Sequence, residues 1–240
     1  MKFSILIPTL NEEKFIGNLL HSLNRQTFKA FEVIIVDGSS RDQTIKAIQS
    51  HRGQLNLQVV VSKRRGVSLQ RNIAARHATS EHLIFLDADV VPEWRFLEKL
   101  KKSLELTRPD FATAPNIPLS KKAADKAIFA MFNRLVRLSE FFVPSACGTF
   151  IYVRKRAFRS IGGFNEDAVW GEDIDLSRRL SRKGHRFAFL SDPKLYVSVR
   201  RLDKEGRLRC IKYFIKGMMH TYGREPVKDR AKLNYEFGHY

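Results

Sequence analysis

The sequence predicts an α/β fold built on a mostly parallel central sheet flanked by helices. Three observations lead there. Near-continuous apolar runs of strand length recur through the first half, as in strands buried on both faces. Amphipathic segments of helical period separate them. Clusters of Asp, Asn and Ser close the runs. Strand and helix alternating at this spacing make βαβ units. In such sheets ligands bind at the carboxyl ends of the strands, where the strand order reverses.

The elements follow in order. Residues 3–10 are the first strand, after which Asn11 is placed to cap a helix with Phe15, Ile16, Leu19, Leu20 and Leu23 on its apolar face. Residues 31–36 are the second strand, ending at Asp37-Gly38-Ser39-Ser40, where Ser40 and Gln43 have capping-box spacing. Residues 57–61 are the third strand and 68–78 the third helix. Residues 82–86 form the fourth strand and run into Asp87-Ala88-Asp89, with Pro92 placed to start the next helix. The second half is less regular. It reads as a long helix over 121–142, a strand over 145–153 and a short helix ending at Gly162-Gly163. A helix over 172–183 is stopped by Gly184, short strands lie near 187–190 and 195–199, and a basic helix over about 205–222 precedes a polar tail.

A chain of 240 residues can form one large α/β domain or two closely packed halves. With 43% apolar and 28% charged residues, wholesale disorder is excluded. The net charge of +18 favours anionic partners: nucleic acid, an acidic membrane surface or phosphorylated substrates. No RNP-like strand, helix-turn-helix or zinc spacing supports the first, and acidic strand ends would repel a phosphate backbone. Cys147 and Cys210 have no metal-ligand spacing and read as reduced thiols. The opening apolar run stops at Asn11-Glu12-Glu13 without a small-residue cleavage site, and no uncharged run is long enough to span a bilayer. The expectation is a cytoplasmic protein whose membrane contact, on the inner face, is peripheral.

Four clusters can carry chemistry. Alternation in an extended segment puts Asp87 and Asp89 on one side, as hard oxygen ligands for Mg²⁺ or Mn²⁺ with a diphosphate. A solvated turn or a helix cap is the competing account, weakened by the buried run at 83–86 that precedes it. Asp37 can accept a hydrogen bond from a base ring N–H, although turn chemistry explains Asp-Gly-Ser equally well. Arg71, at an expected helix start, can reach a phosphate or be a surface arginine. Glu172, Asp173 and Asp175 at a helix N-terminus either complement its dipole or include a general base for an attacking hydroxyl. Trp170 before them can stack on a sugar ring or belong to the core.

Ile7-Pro8-Thr9-Leu10-Asn11-Glu12, Val36-Asp37-Gly38-Ser39-Ser40-Arg41-Asp42 and Arg71-Asn72 are followed by Phe85-Leu86-Asp87-Ala88-Asp89. Gly162-Gly163-Phe164-Asn165-Glu166 and Gly171-Glu172-Asp173-Ile174-Asp175-Leu176 come after. In order and spacing, from residue 3 to about residue 199, the chain resembles the family-2 glycosyltransferases, inverting enzymes of the Rossmann-like GT-A fold. The resemblance implies a GT-A catalytic domain over 1–203, its nucleotide-binding half 1–90 and its acceptor-binding half 91–203, with a basic helix and tail over 204–240. It implies a nucleotide-sugar donor, a UDP-sugar favoured, on Pro8, Thr9, Asn11, Glu12, Asp37, Ser39, Arg71, Asp87, Ala88 and Asp89. Of these, Thr9 and Asp37 would take the nucleoside, and Asp89 the Mn²⁺ or Mg²⁺ with the diphosphate. Asp173 would be the catalytic base, with Glu172 beside it, and Trp170, Gly148 and Thr149 would face the acceptor: a sugar, a lipid or a polyprenyl phosphate. The implied reaction is a single inverting displacement.

Where many relatives place a His, this chain has Tyr196-Val197-Ser198-Val199-Arg200-Arg201. Arg200 and Arg201 either bind diphosphate oxygens directly or form a basic surface pair. The Gln-x-x-Arg-Trp signature of processive synthases is absent, so repeated elongation is disfavoured. Retention of Asp89 and Asp173 argues against an inactive scaffold. The basic stretch from Arg207 to Met219 either lies in a membrane interface, joined by Lys121, Lys122, Arg134 and Arg137, or packs on the catalytic domain.

Overall fold

The computed structural model describes residues 1–212 and 215. Its main sheet begins with β1 (Phe3–Thr9), β2 (Phe31–Asp37), β3 (Leu57–Val61) and β4 (His82–Leu86). It is completed by β6 (Phe111–Thr113), β8 (Phe150–Arg154) and β9 (Phe187–Phe189), in the order β3-β2-β1-β4-β8-β6-β9. The first four strands are parallel, and β8 runs antiparallel to β4 and β6. A second sheet, β5-β10-β7, joins β5 (Val90–Pro92), β10 (Leu195–Val197) and β7 (Asn116–Pro118). The expected fold class is observed.

Strand alternation explains why both faces are covered. Phe3, Ile5 and Ile7 of β1 enter one core with α1 (Ile16–Asn24), α2 (Thr44–Gln49) and α4 (Phe96–Thr107). Leu6, Ile34 and Phe85 point the other way, into a core shared with α3 (Val67–His77), α6 (Lys155–Ser160) and α7 (Glu172–Arg182). Nearly every residue of β1, β2 and β4 is buried, which is why these strands read as continuous apolar runs. The remaining helices are α5 (Ala123–Ser139) and α8 (Arg200–Glu205).

Several local expectations are corrected. Asn11 does not cap α1; at φ 56° it turns the chain, and its side-chain oxygen accepts from the Arg41 N–H while its own N–H donates to Ser40. Ser40 and Gln43 form no capping box, because the Ser40 hydroxyl donates to Asp37 instead. Pro92 ends β5, an edge strand where its missing N–H costs nothing, and α4 starts at Phe96. The strand expected over 145–153 begins only at Phe150. The basic helix expected from 205 is preceded by α8, broken at Gly206 (φ 84°) and resumed from residue 207; most of that expectation, with the tail, lies outside the described residues.

Candidate active site

The chain lays β2 and β3 on one side of β1 and β4 on the other, so the strand order reverses between β1 and β4. A cleft of about 580 Å³ opens at the carboxyl ends of these two strands, as this topology dictates. Pro8 near the end of β1, Glu12 after it, Asp87–Asp89 after β4, Gly148 and Thr149 before β8, Trp170–Asp173 and Arg200–Arg201 all line it. Segments far apart in sequence therefore converge on it, although the Asp37–Ser40 cluster does not line it.

Arg71 organises the deep end. It lies within α3, not at its start, and is 1% exposed, so the surface account of this residue is excluded. One guanidinium nitrogen donates to Asp87 Oδ1 at 2.8 Å and to the Gly148 carbonyl at 3.0 Å. The other donates to Glu172 Oε1 at 2.9 Å, while the group lies over the Phe164 ring. Burial pushes the Asp87 carboxyl up to about 6, although Arg71 pulls it down. Next along α3, Asn72 binds both the N–H and the C=O of Phe164, which ties the Gly162–Glu166 motif to α3.

The three acids of α7 have separate roles. Gly171 takes the left-handed conformation at the N-cap (φ 74°), which brings Glu172 and Asp173 to the cleft. Glu172 belongs to Arg71, and Asp175 is buried against Arg179 at 2.7 Å. Asp173 accepts from the Gly148 N–H at 2.7 Å and the Ile174 N–H at 2.8 Å, and among the described residues it makes no salt bridge. Burial first, then the Glu172 charge, raise its carboxyl to about 7, against the pull of Arg71. Gly148 thus braces the Asp173 carboxylate: a Cβ there would lie 3.2 Å from Asp173 and 3.3 Å from Arg71.

Asp89 meets a different cation. The chain turns at Ala88–Asp89 instead of staying extended, and Asp89 faces Arg200 at 3.0 Å. Sheet register explains this, since Val90 pairs with Val197 and the Ser198 N–H donates to the Asp89 carbonyl. Arg200 also forks onto Glu12 through two 2.7 Å bonds and stacks over Phe15. Burial raises both the Asp89 and the Glu12 carboxyls, and Arg200 opposes both shifts.

Thr9, Asn11, Asp37 and Ser39 are not among the residues that line the cleft. Asp37 is fully buried and accepts from Thr9 Oγ1, the Ser40 N–H and Ser40 Oγ, so it carries the turn chemistry foreseen for it. Ser39, at φ 61°, donates to the Ser62 carbonyl. Lining residues that the sequence does not mark as site residues include Arg65, Gly66 and Cys147, with Phe129, Phe132, Leu135 and Val136 of α5. A basic run ending in glycine just before α3, Lys63-Arg64-Arg65-Gly66, was a usable signal for the first two, because helix N-termini favour anions.

The model of the family described as Glycosyl transferase family 2 matches residues 4–162. The chain belongs to that family. Poly(ribitol-phosphate) beta-N-acetylglucosaminyltransferase TarS of Staphylococcus aureus is 42% identical over 93 residues, 37% of this chain and 16% of TarS. Amylovoran biosynthesis glycosyltransferase AmsB of Erwinia amylovora is 27% identical over 230 residues, covering 89% of this chain and 75% of that protein. The crystal structure of S. aureus TarS 1–349 in complex with UDP-GlcNAc aligns with a TM-score of 0.69 and 27% identity, over 83% of this chain and 59% of that one. The chain thus spans well under two thirds of TarS. A solved mannosyltransferase, PcManGT from Pyrobaculum calidifontis in complex with GDP-Man and Mn²⁺, is similar in fold (TM-score 0.66, 23% identity, 82% of this chain and 57% of that one).

Among the described residues of this family-2 chain, no group of three or more His, Cys, Asp or Glu is arranged to hold a metal ion. A cation of the Mg²⁺ type needs less, because it commonly takes one or two carboxylates plus substrate phosphates. Asp89, a hard oxygen donor on the cleft wall, fits a cation that arrives with a diphosphate, provided Arg200 yields its place. No helix among the described residues is long and apolar enough to cross a membrane.

Proposed function

We propose that this protein is an inverting, non-processive glycosyltransferase that moves a sugar from a nucleoside-diphosphate sugar, a UDP-sugar favoured, to an acceptor hydroxyl or phosphate. Its donor would sit on residues 1–90 and its acceptor on 91–203. The observation that carries this reading is Asp173. It is a half-buried carboxylate whose carboxyl is raised to about 7, held by two backbone N–H groups in the same cleft as Asp87 and Asp89. A base poised near neutrality is what proton abstraction from a hydroxyl requires.

The acceptor oxygen attacks C1 of the sugar while its proton passes to Asp173. The bond from C1 to the nucleoside diphosphate breaks on the opposite side. Trp170 gives the acceptor sugar a face, and Gly148 and Thr149 border it. Asp89 would hold Mn²⁺ or Mg²⁺ together with the diphosphate, and the cation when bound neutralises charge on the leaving group. Arg200 and Arg201, which line the same cleft, would take diphosphate oxygens. Glu172 holds Arg71 in register between donor and base. Likeness to TarS, solved with UDP-GlcNAc, supports the choice of UDP.

An acceptor carried on a lipid, met at an anionic membrane surface, is part of the same proposal and follows from the net charge of +18. Following the anomeric proton by NMR in the first minutes of turnover tests the reaction. Inverted product is expected, and retained configuration overturns the assignment.

A further inference from the structure

Helix α5 joins the cleft to a bare surface. Phe129, Phe132, Leu135 and Val136 line the cleft. With 3.6 residues per turn, Met131, Leu135 and Leu138 fall within about 60° of one another and form the adjoining stripe. All three are about half exposed, and Phe141 and Phe142 in the following turn are 75% and 83% exposed, with Val143 beside them. Leu135 belongs to both faces, so apolar surface is continuous from the cleft to this tip.

The exposed charges on α5 itself are cations; Glu140, at its C-terminal end, is half-buried and accepts from the Phe189 N–H, and Asp203 pairs with Lys122. Arg134 and Arg137 flank it on the side away from the cleft, Lys126 is exposed on the same helix, and Lys121 and Lys122 precede the helix. The single acid of α5, Asp125, is buried and bonded to Arg207 at 2.6 Å. That bond seats the segment starting at residue 207, with exposed Leu208, Arg209 and Lys212, against the first turns of α5. Exposed aromatic and aliphatic side chains bordered by cations, with no exposed acid on the helix, complement an anionic lipid interface.

We propose that the Met131–Leu135–Leu138 stripe and the Phe141-Phe142-Val143 tip insert into an anionic membrane surface. The Leu135 rim of the cleft then opens onto the lipid, so an acceptor with an apolar tail reaches Asp173 while its tail stays in the interface. The acceptor clause rests on the transferase reading; the docking surface does not.

The test uses the full chain and vesicles of phosphatidylcholine with or without phosphatidylglycerol, at low and physiological salt. Flotation is expected with the anionic vesicles alone. F141S/F142S and R134Q/R137Q should each weaken it about 20-fold or more, with unchanged thermal midpoint and unchanged UDP affinity by calorimetry. Three results overturn the proposal: no flotation at low salt; both double variants binding like the parent; or a parent dimer that F141S/F142S dissociates, which would assign the stripe to a second copy. UDP affinity reports separately on the donor site. Its absence, with flotation intact, defeats the choice of a UDP-sugar donor and leaves the docking surface standing.

Discussion

Replacing Arg71 by Met keeps the packed stem and deletes the charge that Asp87 and Glu172 share. Removing one partner of a buried ion pair costs about 3–5 kcal/mol, because the remaining charge is left uncompensated. Asp87 keeps a third of its side chain open to the cleft, so water takes up part of the cost and the lower end, about 3 kcal/mol, is expected. In a chain of this size about 1 kcal/mol moves the melting point by about 2–4 °C, giving a fall of about 6–12 °C at pH 8. The loss must depend on pH. Arg71 lowers the carboxyls of Asp87 and Asp173, which in the intact protein still lie near 6 and 7. Both are raised above their unfolded values, so their charged forms disfavour the fold above pH 7 and cease to do so as protons bind below pH 6. Without Arg71 that penalty grows, so the variant is hurt most at pH 8 and least at pH 5. Urea unfolding at both values measures it. A loss below about 1 kcal/mol, or one equal at the two pH values, would refute the burial-based reasoning.

The parent enzyme should show kcat/KM rising with pH through an apparent pKa near 7, as Asp173 loses its proton, and Glu172→Gln should move that limb to lower pH by removing the second cause of the shift. Asp173→Asn should cut transfer about 10²–10⁴-fold while UDP binding by calorimetry stays within a few-fold; loss of both would place Asp173 in the donor site. Gly163→Ala should destabilise by at least about 1–2 kcal/mol on denaturant titration, since the residue sits at φ 81° and its Cβ would meet Asn72 Oδ1 at 2.6 Å. Arg200→Ala should tighten Mn²⁺ binding measured with UDP present, because a guanidinium no longer competes for Asp89; unchanged affinity would count against Asp89 as the cation's ligand.

The first half of the fold was legible because β1, β2 and β4 are buried on both sides and announce it by unbroken apolar runs. The strands β5, β6, β7 and β9 have three residues each, too few to display a period, and went unread or loosely bounded. Asp37 and Asp173 were visible from their positions at a strand end and a helix start. The burial of Arg71 was not legible for a physical reason: Ser68-Leu69-Gln70-Arg71-Asn72 looks like a solvated helix edge. Its burial is created by Asp87, 16 residues away, and Glu172, 101 residues away. Arg200 was read as a possible diphosphate ligand, but its hold on Glu12, 188 residues distant, has no local signature. Asn11 shows the converse, a good capping residue used to turn the chain because two loops needed a polar cross-tie.

The Asp125–Arg207 pair bears on where the enzyme's body stops. A boundary at residue 203, just past the last strand and its ionic contacts with Glu12 and Asp89, looks natural on the chain. Asp125 is fully buried, and Arg207 and Ser120 hold its carboxyl down at about 2. A protein cut at 203 would keep that carboxylate and lose its guanidinium, and the start of the helix bordering the cleft would carry the defect. A fragment meant to keep the start of α5 intact therefore has to carry Arg207, four residues beyond the expected border.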